Sequence, residues 1–276
     1  MLDLPYGGTF EAPFEVQIPD YPHPHQVRVW LPRSYHQSDE RYPILWVTDN
    51  QLELTTSILM ATPPDELPEI IVVAFGSPLD ISLGSFQQRR TYDFFPDRSL
   101  LTLDEAVYEQ MGDSFAGGAP AFLDYLTGPL RERIESTYRS NGEHALAGCS
   151  GGAMFALYSL FTKPAAFGRY LIGSPATGLD YERLEAEHHD AHGQPTARVF
   201  LAAGGAELTS PGYAAVHIVS TTAVVAERLA TRGYPGLDLH VDIYPGRTHT
   251  GVMPALFADG LRWLWRDHKA LPTRLV

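Results

Sequence analysis

A chain of 276 residues, 44% of them hydrophobic, can bury a sizeable core as one large domain or two small ones. A formal net charge of −13 argues against a nucleic-acid backbone or an anionic membrane surface as partner, because both need basic patches. The one cysteine, Cys149, excludes an intramolecular disulfide and a cysteine-based metal cluster.

The opening residues, Met1-Leu2-Asp3-Leu4-Pro5, lack the basic and apolar segments of a secretory leader, and no apolar run reaches membrane-span length. The expectation is a soluble cytoplasmic protein. Alternation at Phe14, Val16 and Ile18, and again at Val27, Val29 and Leu31, predicts a β-hairpin over residues 8–19 and 26–31. Its connector, residues 19–25, is turn chemistry. His23 and His25 have a metal-like spacing there, but an exposed loop with no third ligand reads as ordinary surface. Residues 32–43 read as a polar loop. Residues 42–48 form a buried strand that ends in Asp49-Asn50-Gln51 and feeds a helix over 52–60. Residues 70–75 are a second buried strand, followed by a long irregular stretch from 76 to about 118. Helical spacing of Phe122, Leu123, Leu126, Leu130 and Ile134 marks residues 120–138, with a kink or break at Pro129.

The remainder is organised around residues 146–160. Gly148, Ser150 and Gly152 satisfy G-x-S-x-G between an apolar run (145–147) and an Ala/Leu-rich helix, the setting of a nucleophile elbow. Residues 170–173 and 197–203 are further buried strands, and 181–192 is a charged helix whose histidines, His188, His189 and His192, read as a solvated face. A helix over 214–232, an edge-type strand over 237–244 and a last helix over about 252–266 complete the chain. Alternating strands and helices predict one α/β domain over residues 1–276, built on a mostly parallel, doubly wound sheet flanked by helices.

A serine hydroxyl needs a base to become a nucleophile. His249 is placed for it, in a Gly/Thr-rich loop after the last strand. His144, His217, His240 and His268 sit in less suitable places. The imidazole needs an anion, and Glu207 is the first carboxylate after the 197–203 strand. Asp242, with Asp238 behind it, is the rival. The oxyanion needs two donors. Gly151 N–H is one, and the backbone of Gln51 or Asn50 is the candidate for the other. Cys149 reads as a small buried residue rather than a second nucleophile.

These motifs resemble the esterase family of α/β-hydrolases that includes esterase D, feruloyl and acetylxylan esterases, enterobactin-type siderophore esterases and mycolyltransferases. Gly148-Cys149-Ser150-Gly151-Gly152, Phe167-Gly168-Arg169-Tyr170, Ser174-Pro175, Arg89-Arg90-Thr91-Tyr92-Asp93, Asp49-Asn50-Gln51 and the segment up to His249 carry the likeness, which is strongest to the siderophore-esterase branch. Two departures are Cys149, where that branch has histidine, and Asn50, where it has glycine. The resemblance implies an α/β-hydrolase fold, the triad Ser150, Glu207 and His249, and hydrolysis of a small-molecule ester without cofactor or metal. Arg89 and Arg90 either hold an anionic group of the substrate or pair with Asp93. An acyltransferase on the same scaffold, and a non-catalytic binding module, are the alternative readings.

Overall fold

The apolar runs of the sequence become the inner strands of one sheet. The computed structural model describes residues 7–49, 51–102, 116–176, 179–191 and 195–268. Its nine strands are β1 (Gly8–Phe10), β2 (Phe14–Val16), β3 (His25–Pro32), β4 (Tyr42–Val47), β5 (Ile71–Gly76), β6 (Ser140–Cys149), β7 (Arg169–Gly173), β8 (Ala197–Gly204) and β9 (Leu237–Tyr244). The spatial order is β1-β3-β5-β4-β6-β7-β8-β9, with β2 also paired to β3. Strands β4 to β9 run parallel, and the first three are antiparallel additions at one side.

Parallel strands need cover on both faces, which is why β4 and β5 are apolar at every position rather than at alternate ones. Ile44 and Trp46 face one hydrophobic layer, and Leu45 and Val47 face the other. The helices are α1 (Leu52–Ala61), α2 (Leu83–Phe94), α3 (Ala119–Tyr125), α4 (Arg131–Thr137), α5 (Gly151–Thr162), α6 (Tyr181–Ala191), the short α7 (Pro211–Ala214), α8 (Ile218–Arg232) and α9 (Met253–Leu264). Helices α1 and α9 cover the Leu45 face, and α3, α4, α5, α6 and α8 cover the Trp46 face. The α/β-hydrolase architecture expected from the sequence is the one observed. After β5 the chain crosses over β4 to place β6 on its far side, so the winding direction reverses between β4 and β6. A crevice opens at the carboxyl ends of strands on either side of such a reversal.

Several local expectations need correction. The stretch after residue 76 is not all irregular: α2 lies within it, capped by the Ser82 hydroxyl, which accepts from the Ser85 N–H at 3.2 Å. Only Asp93 and Phe94 of this helix are buried, so it carries no apolar stripe to read. Residues 103–115 lie outside the described residues. The chain does not break at Pro129. A π turn, Leu126–Leu130, joins α3 to α4 there, and its wider spacing accommodates the missing N–H. Strand β6 starts at Ser140, well before its apolar half, because Asn141, Gly142 and Glu143 are exposed. His188 is not on a solvated face; it is buried, with Nδ1 and the Phe161 carbonyl 2.8 Å apart. His23 and His25, expected on an exposed loop, are also buried, because their connector packs against Asp93 of α2.

Candidate active site

Ser150 occupies the single residue between β6 and α5, with φ 57° and ψ −120°. That backbone is costly for any residue with a Cβ and is held by its surroundings. The Ser150 N–H donates to the Gly173 carbonyl at 2.9 Å. A Cβ on Gly148 would lie 2.3 Å from the Gly152 carbonyl oxygen, and one on Gly152 would lie 2.1 Å from Thr48 Oγ1. Both glycines are therefore required by close approach, and the turn leaves the serine side chain partly exposed at the carboxyl end of the sheet. The helix ladder begins with Ala153 and Met154 N–H donating to the Ser150 carbonyl at 3.0 and 3.1 Å. Gly151 and Gly152 N–H precede it, where the helix dipole is positive.

His249 is positioned from the other end of the sheet. Gly204, closing β8, lets the loop after β9 fold onto it; a Cβ there would lie 2.4 Å from the Arg247 carbonyl oxygen. The Ala206 N–H donates to the same carbonyl at 3.0 Å. This brings the His249 Nδ1–H to Glu207 Oε1 at 2.8 Å. Glu207 is 1% exposed, and its Oε2 also accepts the Gly204 N–H at 3.3 Å. A buried carboxylate on Nδ1 fixes the tautomer and leaves Nε2 as the proton acceptor. Tyr213 stacks on the imidazole with centroids 4.2 Å apart and planes 20° from parallel. Of the two acids left open by the sequence, Glu207 contacts His249. Asp238 pairs with Arg198 and Arg266, and Asp242 lies half-buried on edge strand β9.

The two halves meet around Cys149. Its buried thiol is pushed well above its ordinary pKa, first by burial and then by the negative charges of Asp49 and Glu207, with the Gln51 side chain and Arg90 opposing. Cys149 is thus a small buried residue, as expected from the sequence. Leu256 of α9, the helix that follows His249, packs with Cys149 at the end of β7. Among the described residues no hydrogen bond joins Ser150 to His249.

The loop after β4 differs in detail from expectation. Asp49 takes φ 55°. The Gln51 N–H turns back onto the Thr48 carbonyl at 3.2 Å, so in this structure it is engaged within its own turn rather than offered to a ligand. Asn50 lies outside the described residues. Arg90 is not paired with Asp93. Its Nε and Nη2 donate to Asp49 Oδ1 and Oδ2 at 2.7 and 2.6 Å. Burial works against the guanidinium charge, but Asp49 outweighs it and raises the pKa further. The same guanidinium lies flat against Gly151, where a Cβ would be 3.1 Å from both Nη atoms. Arg89 donates to the Pro24 carbonyl at 3.3 Å. Asp49 and Tyr213 escape sequence reading, because one looks like a turn residue and the other lies on a four-residue helix. Other histidines are held structurally: His144 between the Trp46 indole and Glu135, and His240 stacked on Phe200. Among the described residues no helix is long and apolar enough to cross a membrane.

Comparison with known proteins gives one consistent family. The chain is 30% identical over 164 residues to the siderophore enterobactin esterase of Emericella nidulans, covering 55% of this chain and 54% of that protein. It is 28% identical over 154 residues to the ferri-bacillibactin esterase BesA of Bacillus subtilis, covering 53% and 52%. The chain thus spans about half the length of these curated relatives. The structure of the siderophore hydrolase EstA from Aspergillus nidulans superposes with a TM-score of 0.79 at 22% identity, over 92% of this chain and 93% of that one. The BES protein from Bacillus cereus gives 0.74 at 22% identity, over 92% and 95%. At such identities the two structures establish the fold. The family profile described as "Putative esterase" matches residues 97–264, more than half of the sequence, and the chain belongs to that family.

Proposed function

We propose that this protein is a serine carboxylic ester hydrolase acting on ester-linked small molecules of the siderophore class. The observations that carry the reading are a strained serine at the β6–α5 turn and, on a loop following β9 of the same sheet, an imidazole whose Nδ1 meets a buried glutamate. The names of the relatives, siderophore esterases, support the substrate class.

In this mechanism Ser150 Oγ attacks the ester carbonyl carbon while His249 Nε2 takes its proton. Glu207 stabilises the resulting imidazolium. The oxyanion is met by the Gly151 N–H and by a donor from the Asn50–Gln51 backbone. For Gln51 this requires the 3.2 Å bond to Thr48 to open when substrate arrives. His249 then gives its proton to the leaving alcohol, and water, deprotonated by the same imidazole, releases the acid. Loss of one oxyanion donor costs about two to three orders of magnitude in rate.

A fluorophosphonate probe tests the reading. Wild-type protein is expected to carry the adduct on Ser150 and to hydrolyse nitrophenyl esters and a catecholate trilactone. Ser150→Ala is expected to lose both. A folded wild type that takes no label and cleaves none of these esters refutes the assignment. Ester products formed with added acceptor alcohols would point to acyl transfer instead.

A further inference from the structure

Asp93 is a carboxylate in the wrong place unless something positive joins it. It lies near the end of α2, one turn beyond Arg90, and is 1% exposed. Three donors crowd one of its oxygens: His23 Nε2 at 2.8 Å, His25 Nε2 at 3.1 Å and the Tyr21 hydroxyl at 3.0 Å, all onto Oδ1. Among the described residues no lysine or arginine pairs with Asp93. A carboxylate buried this deeply, with two imidazole nitrogens gathered on one oxygen, calls for a positive partner. That partner is either a proton on an imidazole or a cation held between the rings.

We propose that Nε2 of His23, Nε2 of His25 and Oδ1 of Asp93 form a binding site for one divalent transition-metal ion, with zinc the best match. The donor chemistry is right: two imidazoles and one carboxylate are a recurrent three-ligand set for zinc, with a fourth position for water or another oxygen. The Tyr21 hydroxyl lies next to the set, donating to Asp93 Oδ1 at 3.0 Å. The three ligand atoms all lie within 4.8 Å of one another. In a tetrahedral zinc site the ligand atoms are about 3.3 Å apart, given metal–ligand bonds of about 2.0–2.2 Å. The two histidine–carboxylate separations, 2.8 and 3.1 Å, need to open by only a few tenths of an ångström, and the two Nε2 atoms lie within 4.8 Å of each other. Nothing locks the proton of His25 onto Nε2, because its Nδ1 is buried without a partner. The proton can move to Nδ1 and free the Nε2 lone pair.

An entry path exists. A surface cleft of about 620 Å³, lined by Asp20, Tyr21, His23, Arg89 and Tyr92, opens beside the cluster. The ion would tie the start of β3 to α2, adding to the hydrogen bonds and the ring contacts of Tyr21 and His23 with Tyr92 that link them here. It would be a structural clasp, distinct from the Ser150–His249 chemistry. Its affinity is expected to fall in acid, as protons compete for the imidazoles.

The test uses the whole chain. Wild-type protein is stripped with a chelator, dialysed against zinc or cobalt(II), and its metal content measured. One ion per chain, a tetrahedral cobalt d–d spectrum and a higher Tm with zinc are expected. His23→Asn, at the cleft side of the cluster, is expected to remain folded by circular dichroism and to bind zinc at least tenfold more weakly. Wild-type protein that takes up well under one ion and melts at the same temperature with and without zinc overturns the proposal, leaving protons as the compensating charge. Undiminished binding in folded His23→Asn also overturns it, because the ion would then sit elsewhere.

Discussion

Asp49 and Arg90 lock together against Gly151, the residue after Ser150. Asp49 adopts a left-handed backbone, which asparagine and aspartate tolerate best, so Asp49→Asn preserves the turn while removing its charge. The guanidinium it holds lies on Gly151, so the pair fixes the surroundings of the proposed oxyanion donor. Asp49→Asn and Arg90→Gln are each expected to lower kcat about tenfold, with KM for neutral esters unchanged, and the double variant should be little worse than either. Steady-state kinetics on neutral and anionic esters checks this. A rise in KM confined to anionic esters in Arg90→Gln would make Arg90 a substrate anchor instead. At this scale the positions of the candidate residues were legible. Ser150 and His249 stand in loops whose flanking strands are unmistakable, and Glu207 is the first acid after its strand. What could not be read is side-chain direction: Arg90 turns to Asp49 rather than Asp93, and His23 and His25 turn inward. One-dimensional spacing carries no information about such partners when they come from distant segments.

Helices α6 and α8 illustrate how elements are joined behind the site. Glu185 on α6 is fully buried and accepts from Arg232 Nε at 2.7 Å and Nη2 at 3.1 Å, and from the Tyr234 hydroxyl at 2.5 Å. Burial alone would raise the Glu185 pKa, but these donors outweigh it and bring it below the ordinary range. A depressed folded-state pKa means that the stabilisation is present above the unfolded value of about 4.3 and is lost as pH falls through the folded value. Glu185→Gln is expected to cost about 3 kcal/mol at neutral pH, the low end for one partner of a buried pair because Arg232 is partly exposed. Urea unfolding should show the gap to wild type shrinking below about pH 4. A gap that stays constant would assign the loss to packing. Elements built on apolar patterns, the helical stripe of α8 and the continuous runs of β4 and β5, were legible for the same reason that they are stable. Helix α2 was not, since its one buried apolar residue is Phe94 at its end and its other anchors, Asp93 and Arg90, are polar.

Across the molecule, the parts of the proposed site come from strands that are neighbours in space and far apart in sequence. Ile44 pairs with His144, a separation of 144 − 44 = 100 residues. The mostly parallel character of the sheet followed from the alternation of strands with helices, its strand order did not, and the reversal beside β4 is where such sheets hold their ligands. One consequence concerns the bend at Ser150. Its φ of 57° suits glycine, not serine. Ser150→Gly should therefore raise the melting temperature by a few degrees, about 1 kcal/mol, while hydrolysis disappears. A calorimetric scan beside an ester assay would show it; a variant that melts earlier would mean the side chain, not the backbone, governs the turn. The sturdiest version of this polypeptide is thus a dead one, and its usefulness survives as a small, deliberate weakness.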